Sequence, residues 1–393
     1  MQPRDIEMKD QDKINVKAKQ PINSKPDIFL KLPKALEEKI VSYFPITANE
    51  GMQQLSGVNR RLNALFKPHV LTDRVVCGDL NTVKTILKNA ALQHAKQQEA
   101  FEAKGVKEIP HALSDLLLNK KKVVDYSGRT ITGTPLQLAW GAEDPEMIDV
   151  IQRTLLTLPD GKTIIQAQYD EQFKAGWQEK EEKEWSPIMQ SMRDAFLAIE
   201  QAQDTDVTYE NKKFTIHSEG LKRAVTHFRI LLAEQMKKPI GMGRHFHSAL
   251  WLEAAERCDD DNAWVRRGEW SDRNRLANCQ LYGFIQRFLP ARSAMATAQG
   301  IYYITQGVES VKRSFKFRHE PTVSIYPLAA NSEWVLGENY YAGGGDRDCG
   351  GAGGGRRTYV AVSASRRCCK TFVKQQQQTC RSYEILGNRS PKP

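Results

Sequence analysis

The sequence predicts a mainly α-helical protein whose carboxyl-terminal end carries a small antiparallel β-sheet. In several segments apolar residues recur every three or four positions, as they do along one face of a helix. Two clear examples are the stripes within residues 188–199 and 221–232. Beyond Pro321 the pattern changes to short β-branched or aromatic runs beside turn residues, which is typical of strands.

Length and composition limit the class of protein. The 393 residues suggest two to three domains, at about 150 residues each. With 40% hydrophobic and 26% charged residues the chain can bury a core, which excludes a wholly disordered or fibrous protein. No run of about 18 apolar residues is present, so we expect no membrane span. Residues 1–25 are polar, which predicts a flexible leader and no secretory signal peptide.

The basic character of the chain is concentrated near its carboxyl end. The sequence holds 57 Lys and Arg against 47 Asp and Glu. Residues 341–393 hold ten basic and three acidic side chains. Such a tail can touch nucleic acid or an anionic membrane, or it can be a solvated segment that aids solubility. No nucleic-acid-binding motif accompanies it, so we expect no nucleic-acid partner.

The spacing of apolar residues within 26–70 predicts a small helical module. Pro33 suits the first turn of a helix, and Pro45 ends that helix. A module of about 40 residues is small for independent stability, so it should pack against a neighbour or a partner. Its two apolar stripes consist of Leu36, Ile40, Val41 and Phe44, and then of Leu55, Val58, Leu62, Leu65 and Phe66.

This module resembles an F-box. The family opens with a Leu-Pro pair, here Leu32-Pro33, and continues with an amphipathic helix that ends in an aliphatic-aromatic pair. A second helix then carries the run Leu-x-x-Val-[Cys/Asn]-[Lys/Arg]-x-[Trp/Leu/Phe], which residues 55–62 match. The segment 46–52 departs from the family because it lacks the usual Asp-Leu pair.

The resemblance implies that the module binds a Skp-family adaptor of a cullin–RING ubiquitin ligase. The alternative is an ordinary helical hairpin that packs on the rest of the chain. Under the first interpretation the adaptor-binding residues, or those that support the binding helices, are Leu32, Pro33, Leu36, Ile40, Phe44, Leu55, Val58, Asn59 and Leu62.

Residues 71–157 resemble degenerate ankyrin repeats. Residues 77–87 are similar to the second half of a repeat, and residues 125–140 are similar to its opening, with residues 89–122 inserted between them. We expect Thr134 to cap a helix, Pro135 to occupy its first position, and a second helix to cover 144–151. A segment with so few repeats should not be stable alone, and it must pack against its neighbours. It either offers a binding surface to other proteins or supports the neighbouring domains. The signature residues are Gly133, Thr134, Pro135, Leu136, Leu138 and Ala139.

Residues 158–320 predict a further helical domain. The charge run 179–185 is interpreted as a solvated helix face, and Pro239, Gly241 and Gly243 break the helical pattern.

The same region contains His245, His247 and Cys258, which form a weak candidate for a metal or nucleophilic site. A zinc site usually needs four ligands in paired spacing, which the segment lacks, so we favour solvated or hydrogen-bonded histidines. A cysteine–histidine pair for acyl chemistry stays open as an alternative, since such partners are often distant in sequence.

Residues 321–393 predict the small β element, a Gly-rich loop over Gly343–Gly355 and the basic tail. The glycine run lacks the lysine and the Ser or Thr of a phosphate-binding loop, so we interpret it as a hairpin tip. Four of the seven cysteines lie here, at 349, 368, 369 and 380. Their spacing does not match a disulfide framework, which predicts reduced thiols and a cytosolic compartment. It does not match a paired zinc motif either, and we expect no bound metal or other cofactor.

An F-box joined to ankyrin-like repeats is similar to the eukaryotic-like effectors that intracellular bacteria deliver into host cells. The resemblance implies a non-enzymatic substrate receptor that works in the host cytosol and recruits a target protein to a ubiquitin ligase complex. The alternative is an effector enzyme, a cysteine hydrolase or transferase within residues 160–393, whose F-box serves localisation.

Overall fold

The chain divides into two units, Met1–Phe66 and Lys67–Pro393, and the second contains all the residues whose structure is described here. The predicted leader, the F-box-like residues 32–62 and the Gly-rich loop therefore lie outside the described residues. The computed structural model describes residues 70–103, 112–210, 213–258, 273, 276–305, 307, 310–315 and 368–380.

The first half of the described chain consists of short helices around one β-hairpin. These elements are α1 (70–76), α2 (Leu80–Ala103), α3 (Ala112–Leu118), β1 (Lys121–Val124), β2 (Thr130–Gly133), α4 (Pro135–Gly141), α5 (Pro145–Leu155) and α6 (Gly161–Gln172).

The second half contains longer helices and a second hairpin. Its elements are α7 (Trp177–Gln201), β3 (Val207–Glu210), β4 (Lys213–Ile216), α8 (Glu219–Lys237), α9 (Ser248–Cys258), a π-helical turn (Ala277–Tyr282) that continues into α10 (Gly283–Gln286), α11 (Ala291–Gln299), α12 (Ile301–Thr305) and α13 (368–380).

Local sequence explains where the short helices begin. The Thr134 side chain accepts a hydrogen bond from the N–H of Gln137, whose side chain in turn accepts from the N–H of Thr134. This reciprocal capping satisfies backbone donors that the first helical turn leaves unpaired. Asp144 caps α5 in the same way through the N–H of Met147. A proline follows each cap, at the position where its missing N–H costs nothing.

The β1–β2 hairpin is antiparallel and pairs Val123 with Ile131. Asp125 closes its turn by accepting hydrogen bonds from the N–H groups of Ser127 and Arg129. The Arg129 guanidinium forms a buried ion pair with the same carboxylate, at 2.6 Å. Gly128 takes a positive φ of 86°, a conformation that favours glycine.

Two hydrophobic cores organise the described residues. The first core extends from Leu71 to Ile165 and includes Leu136, Ile148 and Ile151. The second core extends from Trp185 to Val311 and centres on the α7–α8 pair. The cores also exchange side chains, because Tyr126 packs against the second core and Ile240 against the first.

Helix α13 joins the two cores. Its first turns bury Cys369, Phe372 and Val373 in the second core, and Cys380 lies in the first. The four glutamines at 375–378 also belong to this helix. Apart from 368–380, which is helical, the predicted carboxyl-terminal sheet lies outside the described residues.

Ion pairs and polar contacts supplement this apolar junction. Arg313 binds the carboxylate of Asp144 through two contacts of 2.5 and 2.8 Å and also contacts Glu146. The Tyr126 hydroxyl donates to the carbonyl oxygen of Leu289. Because Asp144 is also the cap of α5, the same carboxylate starts a helix of the first core and binds the segment that follows α12.

The mainly helical class predicted from the sequence is confirmed, and small antiparallel sheets are present. The predicted stripes at 188–199 and 221–232 are buried on α7 and α8. The two described hairpins lie at 121–133 and 207–216, positions where the sequence did not predict strands.

Changing Gly141 to alanine should destabilise the protein. An added Cβ would lie 2.2 Å from Nε2 of the buried His245, so the imidazole or the backbone would have to move. We expect Gly141→Ala to lower the free energy of unfolding by about 1–3 kcal/mol, as other overpacked sites do. Gly220→Ala is the matched control, because its Cβ would only make an ordinary contact at 3.7 Å with Ser218. Thermal unfolding followed by circular dichroism compares the two, and equal melting temperatures would contradict the close approach.

Candidate functional site

A recess of about 400 Å³ lies where the loop 174–176, α7 and α8 meet the segment that follows α8. We call it the tryptophan cleft. It contains apolar, aromatic and charged side chains, which is typical of ligand sites. The residues that matter most for the argument are Trp177, Glu181, Trp185, Met236, Ile240 and Arg244.

Helix α7 supplies one wall of the tryptophan cleft. Trp177, Glu181 and Trp185 are four residues apart, and this spacing places them on one face of the helix. Trp185 is buried, where it packs edge-on against Phe246 at 5.7 Å and stacks on His247 at 5.5 Å. These contacts fix the indole ring, so the wall is preformed.

The segment after α8 supplies the opposite wall. Pro239 prevents the helix from continuing, and Ile240 then pairs in parallel with Ile131 of β2. The N–H of Ile240 donates to the carbonyl of Thr130 at 3.0 Å, and its own carbonyl accepts from the N–H of Thr132 at 2.8 Å. The segment thus forms a single parallel β-bridge beside the β1–β2 hairpin.

Arg244 is the centre of a group of charges at the bottom of the cleft. Its guanidinium lies 3.1 Å from Glu143 and 3.6 Å from Glu181, and it covers the ring of Trp177 at 5.2 Å. Burial raises the pKa of Glu143, and the charge of Arg244 partly opposes that effect. One guanidinium therefore faces two carboxylates in a largely desolvated place.

Two buried atoms in this group are without a hydrogen bond to any other described residue. They are Oε1 of Glu181 and Nδ1 of His247, which lie 3.7 Å apart, beyond hydrogen-bond distance. An unpaired buried polar atom costs about 1–3 kcal/mol unless water or a ligand satisfies it. Both atoms are therefore positioned to bind a water molecule or a polar atom of a ligand.

The rim of the tryptophan cleft is basic. Lys174, Lys180 and Lys238 line it and are exposed, and Lys180 lies 3.9 Å from the carboxylate of Glu184. A smaller recess of about 50 Å³ shares Trp177 and Arg244 with the cleft and is otherwise lined by residues of the first core and by α13.

The ankyrin-like signature residues lie together at the start of α4. Thr134 is the cap, Pro135 is the first helical residue, and Leu136 and Ala139 are completely buried, as the sequence predicted. Gly133 ends β2. Leu138 also belongs to the first core, so these residues act in packing and contribute nothing to the lining of the cleft.

His245 is buried, which excludes the solvated alternative for this histidine. Its imidazole lies against Gly141, and its backbone N–H donates to the Gly141 carbonyl at 2.7 Å. Arg129 donates to the carbonyl of His245 at 2.9 Å. Burial and, to a lesser degree, the charge of Arg129 lower the pKa of His245 to about 3, so the imidazole is neutral.

Cys258 and His247 lie at opposite ends of α9. Cys258 is the last residue of the helix and is buried in the second core, whereas His247 immediately precedes the helix. At 1.5 Å per residue the helix separates the two by about 15 Å, so these two side chains do not form a pair.

The carboxyl-terminal cysteines also do not converge. Cys369 and Cys380 lie on α13 in different cores, about 17 Å apart along the helix. Cys349 lies outside the described residues. Within the described residues, no group of three or more His, Cys, Asp or Glu side chains is arranged to hold a metal ion.

Sequence reasoning missed the cleft because it interpreted 179–185 as a solvated helix face. The useful signal was the spacing of four between Trp177, Glu181 and Trp185, since two tryptophans on one face of a charged helix indicate a covered or binding surface. The opposite wall gave no such signal, because Ile240 is distant in sequence.

No protein-family model, curated protein or solved structure matches the chain. None of the described helices combines the length and the apolar content that a membrane span requires.

The buried His245 should make the fold sensitive to mild acid. In the unfolded chain a histidine has a pKa of about 6.5, whereas the pKa of His245 in the folded protein is about 3. Between these two pH values only the unfolded chain binds a proton at His245. Stability should therefore fall as the pH drops below about 6.5, by about 1.4 kcal/mol at pH 5.5 from this residue alone.

Thermal unfolding at pH 7.5 and 5.5 measures this effect. His245→Phe keeps an aromatic ring but cannot titrate, so its melting temperature should depend less on pH than that of the wild type. His217→Phe is the control, because His217 is exposed and its replacement should leave the wild-type dependence. An unchanged pH dependence in His245→Phe would contradict the assignment.

Proposed function

We propose that the protein is an F-box-type substrate receptor, in which residues 26–70 bind a Skp-family adaptor and residues 71–380 recruit a target protein. The observation that carries this proposal is the F-box-like signature, from Leu32-Pro33 to Leu62, over about 40 residues. The proposed place of action is the cytosol of a host cell, after delivery as a bacterial effector, because an F-box joined to ankyrin-like repeats resembles such proteins.

The signature supplies enough apolar surface for a stable interface. Each aliphatic side chain contributes about 1.5–3 kcal/mol when it is fully buried, and a few central anchors dominate most interfaces. Leu32, Leu36, Ile40, Leu55 and Val58 are anchors of this kind. The ubiquitin transfer itself would belong to the recruited ligase.

The body of the protein suits a receptor because it offers a preformed recess on a well-packed scaffold. A receptor needs a surface of fixed geometry more than it needs reactive side chains. The tryptophan cleft provides such a surface, and its indole rings are held by packing. This supports recognition as the role of residues 71–380.

Loss of the Leu-Pro pair should abolish adaptor binding. In a pull-down with purified Skp-family adaptor we expect the full-length wild type to retain the adaptor and Leu32→Ala/Pro33→Ala to lose it. Leu156→Ala/Leu197→Ala is the matched control, since both leucines are about half exposed and their truncation removes similar apolar area without opening a core. Equal recovery with both double variants, or no recovery with the wild type, would refute the receptor function.

A further inference from the structure

We propose that the tryptophan cleft binds an extended acidic peptide, which pairs with the backbone of Gly241, the residue that follows the β-bridge at Ile240. The assignment of this peptide to the recruited target rests on the receptor function proposed above. The binding of the peptide to the cleft is independent of that function.

The first argument is the open backbone edge. The backbone N–H and C=O of Ile240 both point to the hairpin. Along an extended chain the direction of the N–H and C=O groups alternates from one residue to the next. The N–H and C=O of Gly241 therefore point away from the hairpin. No backbone hydrogen bond joins Gly241 to another described residue, and no atom lies within 4 Å of the place where its Cβ would be. An exposed strand edge of this kind binds a further strand.

The second argument is the floor beneath that edge. Trp177, Trp185 and Met236 line the cleft, and Met242 is 46% exposed beside them. Side chains of a bound strand point alternately to its two faces, so every second residue of the peptide would enter this apolar floor. Aromatic rings held in fixed positions are effective anchors for such side chains.

The third argument is the charge of the rim. Lys174, Lys180, Lys238 and Arg244 line the cleft together with two carboxylates, Glu181 and Glu184, so the lining carries a net positive charge. Lys174 and Lys238 are exposed and are placed to contact carboxylates of the peptide. Opposite charges at a rim set the choice of partner and the rate of encounter more than the affinity. The charge therefore selects an acidic sequence over a neutral or basic one.

The unpaired atoms at the bottom of the cleft favour a peptide over a nucleic acid. Oε1 of Glu181 accepts hydrogen bonds, and a peptide offers N–H donors to it. The N–H and C=O of Gly241 also match the backbone of a peptide, which a nucleic acid does not have.

Peptide display tests the charge preference. Random dodecapeptides displayed on phage are selected against the full-length protein, and we expect Asp and Glu to be enriched beside an aliphatic or aromatic residue. Lys180→Glu/Lys238→Glu should lose that enrichment, whereas Lys84→Glu/Lys88→Glu on α2, outside the cleft lining, should keep it. Selection of no consensus, or of the same acidic consensus by both variants, would overturn the proposal.

A pair of substitutions at Gly241 tests strand addition. Gly241→Pro removes the N–H that would pair with the peptide, and Gly241→Ala keeps it in a place with room for the methyl group. Because one hydrogen bond contributes about 0.5–1.5 kcal/mol, the proline variant should bind a selected fluorescein-labelled peptide about three- to tenfold more weakly, and the alanine variant like the wild type. Equal affinities of the two variants would contradict a bound strand.

Two controls separate this proposal from its alternatives. Leu32→Ala/Pro33→Ala should keep peptide binding and lose adaptor binding. Lys180→Glu/Lys238→Glu should keep adaptor binding and lose peptide binding. A failure of the receptor function can therefore be distinguished from a failure of peptide binding. Unlabelled oligothymidylate of twelve nucleotides should not displace the labelled peptide from the wild type. Displacement, together with direct binding of fluorescein-labelled oligothymidylate that Lys180→Glu/Lys238→Glu abolishes, would identify a nucleic-acid site and overturn the proposal.

Discussion

The cleft exists because the segment 240–247 is held against the first core at several points. Ile240 pairs with β2, the N–H of His245 donates to Gly141, and Arg129 donates to the carbonyl of His245. The first two contacts join backbone groups, and the third comes from the buried guanidinium of Arg129. A buried polar group that loses its hydrogen bond destabilises the fold by about 1–3 kcal/mol. The three contacts fix the distance between this segment and α7, and the space left between them is the tryptophan cleft.

The junction between the two cores combines apolar packing with buried charge. Helix α13 contributes apolar side chains to both cores, while Arg313 and Asp144 form an ion pair between distant parts of the chain. Buried ion pairs add little net stability because desolvation opposes their attraction, but they accept few alternative arrangements. We therefore attribute the stability of the junction to apolar packing and its specific geometry to the ion pair.

The proposed receptor function assigns different chemistry to its two interactions. In that proposal the F-box-like signature supplies aliphatic anchors to the adaptor, whereas the cleft offers tryptophans, lysines and the backbone of Gly241 to the target. A protein that joins a target to a ligase needs such chemically different surfaces, because one partner is constant and the other has to be selected.

The sequence by itself determined the features that depend on neighbouring residues. The stripe on α7 from Ile188 to Ile199 and the capping of α4 by Thr134 follow from helical periodicity and from local hydrogen bonding, which act over a few residues. The tertiary structure alone decided the cleft, because Trp177 and Ile240 meet only after α8 has returned the chain to the hairpin. It also decided the helical state of 368–380, since burial between two cores outweighs local propensity when many apolar contacts are formed at once.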